Sequence, residues 1–371
     1  MNGENINIGN KPLRVLVSAL DWGLGHATRI ITIVKTLQNY DVQVLIAADG
    51  AIASLLGAEF PGIQVLPLKG YGVRYSRSKK NFIFKLLGQA PAIFSSIKRE
   101  NRWLKNTVKE YKIDAVISDN RFGLYHNGIP CVYITHQLFI ETGTKWMSRL
   151  AQKIHYKYIN RYTECWVPDF KDGITLAGKL SHPEKLPAVP VKYIGPLSRF
   201  KKQEAVISND LLIILSGPEP QRSIWEKEIL QQVKPVEGTV VLVRGLPGNT
   251  DTITTPANLT VYNHLPAKEL NALIMQSAVI LSRSGYSTVM DLVALQKKAI
   301  LVPTPGQAEQ EYLADYLKEQ QLFYTCRQHE LHLKNALENT SRFAQKIPAT
   351  DFLSLNEAVI KDWVSKLRAS Q

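Results

Sequence analysis

The segment 279–314 reads VILSRSGYSTVMDLVALQKKAILVPTPGQAEQEYLA, and its pattern decides the fold class. A short β-branched apolar run comes first, then the turn 282–285, then apolar residues at helical spacing. A second apolar run, 299–302, stops at Pro303 and Pro305, which can continue neither a strand ladder nor a helix. Strand, helix and strand in this order predict a parallel sheet covered by helices, an α/β fold.

The turn between the first strand and the helix has the chemistry of an anion site. A turn containing glycine that leads directly into a helix exposes the first backbone N–H groups and the positive end of the helix dipole. That combination binds phosphate, so Arg283, Ser284 and Gly285 are candidate ligands of a nucleotide diphosphate. Asp291, about two turns into the helix, is placed to accept both hydroxyls of a ribose. The loop 303–307 follows the second strand at its carboxyl end, where ligands bind in open α/β sheets.

These residues resemble the C-terminal half of the family 28 glycosyltransferases, in which a strand leads to R-S-G, then Thr, then an acidic residue, then a Pro-containing loop with Gln. The matching positions here are Arg283, Ser284, Gly285, Thr288, Asp291, Pro303, Gln307 and Gln310. The acidic position holds Asp where the cell-wall enzyme of that family has Glu, and Glu311 replaces the second of its paired glutamines. The resemblance implies the GT-B fold, two Rossmann-like parallel-sheet domains facing a cleft, with Gln307 and Gln310 on the donor sugar.

Composition narrows the class of partner. The chain has 371 residues, long enough for two domains, and 45 Lys and Arg against 32 Asp and Glu give a net charge of +13. This charge favours nucleic acid, an anionic membrane or a phosphorylated substrate. The three cysteines show no metal spacing and are expected to be buried thiols. No signal peptide and no membrane-spanning run is found, so we expect a cytoplasmic protein that is at most peripheral to a membrane.

The amino-terminal strand, 13–19, runs into the glycine-rich turn LDWGLGHATR at 20–29 and then a helix. One interpretation is a dinucleotide-binding loop of a dehydrogenase, with Asp49 as the ribose acid, although Thr28 stands at the third glycine position. The other interpretation gives the turn a role in glycosyl transfer. The sequence G-L-G-H-A-T-R resembles the N-terminal glycine loop of the same family, which places Gly23 and Gly25 at the donor.

His26 at the start of this helix is the first candidate for a catalytic base. A helix N-terminus and a nearby cation favour the neutral imidazole, which can accept a proton near pH 7. A purely structural hydrogen-bonding role is the alternative. Asp21, Asp119 and His136 are alternates for the base or for acceptor binding, because 118–121 and 135–137 follow two further predicted strands. Asp119 could equally cap a following helix.

The segment 69–112 is the most basic in the chain, with 12 Lys or Arg, two acidic residues and interleaved aromatics. It is predicted to be a loop and an amphipathic helix that rest on an anionic membrane. A solvated helix face that packs its aromatics inward is the alternative. Nucleic-acid binding is not expected, because no recognised module is present.

Two domains and a returning helix are predicted: an acceptor domain at 1–197, a nucleotide-sugar domain at 198–350 and a C-terminal helix at 351–371. The second domain repeats the loop pattern after its first strand, where Ser216 and Gly217 are candidate diphosphate contacts and Arg222 a neutralising cation. His264, before a later helix, is a candidate contact to the nucleotide base or only a helix residue.

The function implied by the resemblance is inverting, metal-independent transfer of a sugar from a nucleotide-sugar, a UDP-sugar by expectation, to an acceptor that is possibly lipid-linked. We find no suitably placed Asp-x-Asp pair, so neither metal nor other cofactor is expected. Two rival hypotheses are an epimerase of the same fold, which needs no acceptor, and a non-catalytic peripheral membrane protein that binds nucleotide or acidic lipid.

Overall fold

The structure is a computed structural model. It describes residues 12–21, 24–71, 79–142, 144–349 and 351–370, with side chains except at 24 and 79–90. Gly23, one of the candidate donor contacts, lies outside the described residues. So does part of the basic segment 69–112, namely 72–78.

The N-terminal domain is built on a parallel sheet with seven strands in its described part, in the order β3-β2-β1-β4-β5-β6-β7. Its strands are β1 (Arg14–Ala19), β2 (Gln43–Ala48), β3 (Val65–Pro67), β4 (Ala115–Asp119), β5 (Cys131–Ile134), β6 (Glu164–Val167) and β7 (Val191–Tyr193). The central strands are buried nearly end to end, as expected for a parallel sheet covered on both faces.

The C-terminal domain contains a second parallel sheet, with six strands among the described residues, in the order β10-β9-β8-β11-β12-β13. They are β8 (Asn209–Ile214), β9 (Val240–Val243), β10 (Leu259–Tyr262), β11 (Ser277–Ser282), β12 (Lys298–Leu301) and β13 (Tyr324–Thr325). Every recorded strand pair in both sheets is parallel. The predicted fold class is therefore confirmed.

The α-helices lie between most of the consecutive strands. They are α1 (Leu24–Gln38), α2 (Gly50–Glu59), α3 (Lys79–Tyr111), α4 (Lys145–Ile159), α5 (Gln221–Val233), α6 (Ala267–Met275), α7 (Tyr286–Ala294), α8 (Ala308–Glu319), α9 (Leu333–Arg342) and α10 (Phe352–Ala369). No helix within the described ranges combines the length and apolar character that a membrane span requires.

In each sheet the strand order reverses at one point, and these two points mark the position of the candidate site. In the first sheet β1 lies between β2 and β4, with Ala19 in register with Asp119. In the second sheet β8 and β11 are neighbours, with Ser282 opposite Ile214. Loops after neighbouring strands that wind in opposite directions leave a crevice at their carboxyl ends, so each sheet offers one binding position there.

Helix α10 follows the second domain but packs on the first. Trp363 contacts the buried Trp166 edge to face at 5.5 Å, and Asn356 donates to the Ile194 carbonyl. Near the carboxyl end of α10, Arg368 donates to the carbonyl oxygen of Tyr40 at 2.6 Å. The chain thus crosses between the domains twice, once near 198 and once near 350.

Candidate active site

His26 lies in the first turn of α1, directly against the end of β4. Its Nδ1 atom is 3.2 Å from Oδ1 of the fully buried Asp119 and 2.5 Å from Nη2 of Arg29. Arg29 also donates to both carboxylate oxygens of Asp119, at 2.8 and 3.0 Å from Nη2 and 3.1 Å from Nε. No helix begins after Asp119, since 120–130 are irregular, so its carboxylate serves the His26 side chain rather than a helix cap.

The carboxylate of Asp119 stays ionised in this environment. Burial alone would raise its pKa, but the charges and hydrogen bonds of Arg29 and His26 outweigh burial and hold the pKa at about 2. The side chain of His26 remains one-fifth exposed. A buried anion behind a partly exposed imidazole is an arrangement that can orient the ring.

The other candidates of the first domain have structural partners. The Asp21 carboxylate accepts the backbone N–H of Tyr71 at 3.4 Å and lies against Gly70, so it anchors the loop after β3. Asp49 caps α2 by accepting from the Gly50 N–H, which is a structural use of the acid that the dehydrogenase interpretation required.

In the second domain, two loops and a helix N-terminus meet at the carboxyl ends of β11 and β12. Gly285 precedes α7 with φ −71° and ψ 140°, and as a glycine it has no side chain that could cap the helix. Ser284 is buried and donates to the carbonyl of Gln310 at 2.9 Å. The N–H groups of the first turn of α7 are therefore left for a ligand, with Thr288 in that turn.

Gln310 holds the loop 303–307 in place. Its Oε1 atom accepts the Thr304 N–H at 2.9 Å, and its Nε2 atom is 2.6 Å from Oε1 of Gln307. A Cβ atom built on Gly285 would lie 4.0 Å from the same Nε2 atom. The two glutamines and the Ser284–Gly285 turn thus form one cluster, as the sequence spacing predicts.

Both candidate arginines are occupied inside the second domain. Arg222 is ion-paired with Glu219 at 2.6 Å and with Glu226. Arg283 lies over the ring of Trp225 at 3.8 Å and donates to the carbonyl of Pro303 at 3.2 Å. Burial lowers the pKa of Arg283 to about 9. In this structure both guanidinium groups support loops at the site rather than facing an open surface.

The remaining donor candidates differ in how much they are exposed. Ser216 and Gly217 lie exposed in the loop after β8, and Gly217 has the positive φ of 109° that only glycine adopts readily. His264 is exposed between β10 and α6.

Asp291 faces the segment that joins the domains. Its Oδ1 atom accepts the hydroxyl of Ser198 at 2.6 Å. Burial raises the pKa of this carboxyl to about 6, although Ser198 and Arg199 both lower it. Asp291 is thus a carboxylate whose charge changes just below neutral pH, held against the first crossing between the domains.

The two halves of the site touch across the domain boundary. The hydroxyl of Ser287, in the first turn of α7, donates to the carbonyl of Gly25 at 3.1 Å. His26 follows Gly25 directly, and Ser287 is two residues beyond Gly285. The N-terminal glycine turn and the predicted phosphate turn therefore face each other at one interdomain junction.

A second contact across the junction involves His136, which follows β5. Its ring stacks on Tyr286 with centroids 4.1 Å apart, and its Nε2 atom is 2.8 Å from Oε1 of Glu309. Burial lowers the pKa of His136, and Glu309 partly opposes this effect. The Nδ1 atom is buried without a hydrogen-bond partner among the described residues.

Sequence reasoning missed Arg29, Tyr286 and Ser287 as members of the site. Arg29 had a signal, because it lies three residues after His26 and so on the same helix face. Tyr286 and Ser287 had none, since their partners are Pro168 and Gly25 of the other domain. Within the described ranges, no three His, Cys, Asp or Glu side chains gather as a metal site.

Comparisons with known proteins agree with this geometry. Residues 230–359 match the model described as the glycosyltransferase family 28 C-terminal domain. A Nostoc punctiforme protein is 24% identical over 334 residues, 87% of each chain, and is named UDP-N-acetylglucosamine--N-acetylmuramyl-(pentapeptide) pyrophosphoryl-undecaprenol N-acetylglucosamine transferase.

Solved glycosyltransferases share the fold. The glycotransferase of kitacinnamycin has a TM-score of 0.60 at 13% identity, covering 97% of this chain and 96% of that one. Acinetobacter baumannii MurG has a TM-score of 0.51 at 16% identity, covering 96% and 95%. Together with the two parallel sheets, these matches show a glycosyltransferase with the GT-B fold, in which residues 230–359 resemble the C-terminal domain of family 28.

Proposed function

We propose that the protein transfers a sugar from a UDP-sugar to a lipid-linked acceptor, with inversion at the anomeric carbon and without a metal ion. The name of the Nostoc punctiforme relative, a transferase that uses UDP-N-acetylglucosamine and a pyrophosphoryl-undecaprenol acceptor, supports the donor and acceptor classes. The replacement of the family's second glutamine by Glu311 leaves the identity of the sugar to experiment.

His26 is the proposed base. When its Nδ1 atom carries the proton, it donates to Asp119, and Nε2 is the free basic atom. When Nδ1 is unprotonated, it accepts from Arg29, and Nε2 carries the proton instead. Catalysis uses the first tautomer, in which Arg29 donates to Asp119 alone and the ionised Asp119 also stabilises the imidazolium that forms.

The bond changes are those of a direct displacement. The acceptor hydroxyl gives its proton to Nε2 of His26, and its oxygen forms a bond to the anomeric carbon of the donor. The bond from that carbon to the diphosphate oxygen breaks, and UDP leaves with the electron pair. Because attack and departure occur on opposite faces, the configuration inverts.

The leaving diphosphate needs stabilisation as its charge grows. The uncapped N-terminus of α7 at Gly285 offers backbone N–H groups and the positive end of a helix dipole, with Ser284 beside it. Ser216 and Gly217 supply the opposite side, in the loop after β8. Asp291 takes the ribose, and Gln307 with Gln310 the sugar.

The observation that carries this proposal is the contact between the two turns, Ser287 to Gly25, which sets the His26 base opposite the α7 N-terminus. The test is UDP release from a panel of UDP-sugars, with and without a lipid extract, and with EDTA. We expect at least one donor to give lipid-dependent release that EDTA leaves unchanged. Release without any acceptor product, or loss of activity on chelation, would contradict the proposal.

A lipid-linked acceptor places the enzyme at a bilayer, and we propose peripheral attachment on its cytoplasmic face. The basic segment 69–112 is one proposed contact. The part of α3 whose side chains are described is tied to the first domain by the buried ion pair of Glu100 with Arg121.

A further inference from the structure

One face of α4 combines exposed apolar side chains with positive charge. Its exposed apolar residues are Trp146, Leu150 and Ile154, with 67%, 51% and 44% of their surface accessible. Its exposed basic residues, spaced four apart beside them, are Lys145, Arg149, Lys153 and Lys157. The helix has no acidic residue.

The inner face of α4 is sufficient to hold the helix on the domain. Ser148, His155, Tyr156 and Ile159 are buried there, and the ring of His155 packs edge-on against Phe122 at 5.4 Å. None of the three outward apolar residues belongs to this buried set. Three large apolar side chains in successive turns, open to water, are typical of an interaction surface.

We propose that this outer face of α4 lies on an anionic lipid bilayer. An interfacial helix inserts its apolar side chains at the boundary of headgroups and acyl chains, while its basic side chains bind lipid phosphates. Trp146 suits that boundary, and the flexible stems of Lys and Arg let their charges reach the headgroups. The absence of any acidic side chain on α4 selects a negatively charged partner over a neutral one.

The position of α4 fits a substrate held in the membrane. Trp146 is ten residues after His136, so the chain between them spans at most about 35 Å. The ring of Phe94 in α3 stacks on the ring of Tyr158 in α4, with centroids 6.5 Å apart. Helix α4 therefore adjoins the basic segment 69–112. The inference rests on the proposed function, because it identifies the surface through which the enzyme would contact lipid. Bilayer binding can still be measured without any sugar transfer.

The test is flotation of the full-length protein with vesicles of phosphatidylcholine alone, or of phosphatidylcholine mixed with phosphatidylglycerol. One variant replaces Lys145, Arg149, Lys153 and Lys157 by Gln. A second carries Trp146→Gln, Leu150→Gln and Ile154→Gln. The matched control replaces four other exposed lysines by Gln and so removes the same charge: Lys201, Lys227, Lys334 and Lys361.

We expect the wild type and the control to float with the anionic vesicles and not with the neutral ones. Each cation near an anionic surface strengthens binding about fivefold, so the loss of four cations should weaken the binding of the α4 basic variant about 600-fold. The apolar variant should lose at least about tenfold. Circular dichroism should give the same helix content for all four proteins.

Equal binding of the α4 basic variant and the control would overturn the inference, and so would a wild type that stays unbound, which would favour a protein partner for this face. UDP binding, measured on the same proteins without lipid, separates the two proposals. A wild type that binds vesicles but no UDP contradicts the proposed function and leaves the α4 surface standing.

Discussion

The two sides of the interdomain junction use different chemical groups. On the N-terminal side the chemistry belongs to polar and charged side chains, with His26 and Arg29 set on a carboxylate that is wholly buried. On the C-terminal side it belongs to the backbone at Gly285 and to amides that hold a loop. The comparison teaches that the first side should respond to changes of charge, and the second to changes of shape.

The largest effect is expected on the charged side. His26→Ala removes the proposed base, so turnover should fall by about 10² to 10⁴ while UDP affinity changes little. Asp119→Asn should also lower turnover, because an amide neither compensates Arg29 nor stabilises the imidazolium. Steady-state kinetics and calorimetric titration with UDP measure the two quantities. His329→Ala, at a histidine 81% exposed in the second domain, is the control.

This division of roles between the two sides would be wrong if His26→Ala lost UDP affinity in proportion to turnover. That result would make His26 a donor contact, and the N-terminal side a binding surface rather than the source of the base.

The next effect is expected on the backbone side. Gly285 has an ordinary φ, and a Cβ atom there meets only Gln310, at 4.0 Å, so Gly285→Ala should fold normally. The added methyl group occupies the approach of the diphosphate, and UDP affinity should fall about tenfold or more. Titration with UDP, beside a thermal melt, measures both. A Gly285→Ala protein with unchanged UDP affinity would contradict the assignment of the phosphate turn.

A smaller effect should follow pH. The pKa of Asp291 is about 6, and ribose hydroxyls donate to the ionised carboxylate, so UDP affinity should weaken as pH falls below 6, by up to about tenfold per unit. Asp291→Asn should bind UDP more weakly at pH 7 and lack this additional loss. Because both proteins bind the same nucleotide, the titration of UDP itself cancels in the comparison. Parallel pH profiles would remove the ribose assignment.

The smallest effect concerns the bond between Ser198 and Asp291. The Ser198 hydroxyl stabilises the ionised carboxylate, so Ser198→Ala should move the midpoint of the UDP affinity profile to higher pH, by up to about one unit. The same titration series measures it. A midpoint that moves to lower pH would show that the hydroxyl does not stabilise the charged form.

The fold and half of the site could be read from the sequence because their signals are local. Apolar runs predicted the parallel strands, and glycine turns before helices predicted where His26 and Gly285 lie. The order of the strands, which brings Asp119 beside His26, follows from pairing between residues 100 apart in sequence and leaves no local pattern. The same holds for contacts between domains, such as His136 with Tyr286.

The surroundings of the two candidate arginines of the second domain differ from the prediction because of their hydrogen-bond and charge partners. Arg222 and Arg283 look like free cations in the sequence, but a buried guanidinium needs compensation, and nearby acceptors supply it: the carboxylates of Glu219 and Glu226 for Arg222, and backbone carbonyls for Arg283. The acceptors of Arg283 come from loop packing that sequence spacing does not specify. Glu226, in contrast, lies four residues after Arg222 on α5, a spacing from which this pair could have been predicted. The roles of the two arginines toward a diphosphate stay predictions.

The most direct test of the central claim is a crystal structure of the protein with bound UDP. The account predicts diphosphate oxygens within hydrogen-bonding distance of the backbone N–H groups at the start of α7, after Gly285, with Nε2 of His26 facing them across the junction. A diphosphate bound instead on the glycine turn of the N-terminal domain, beside Gly25 and with Asp49 on the ribose, would contradict it.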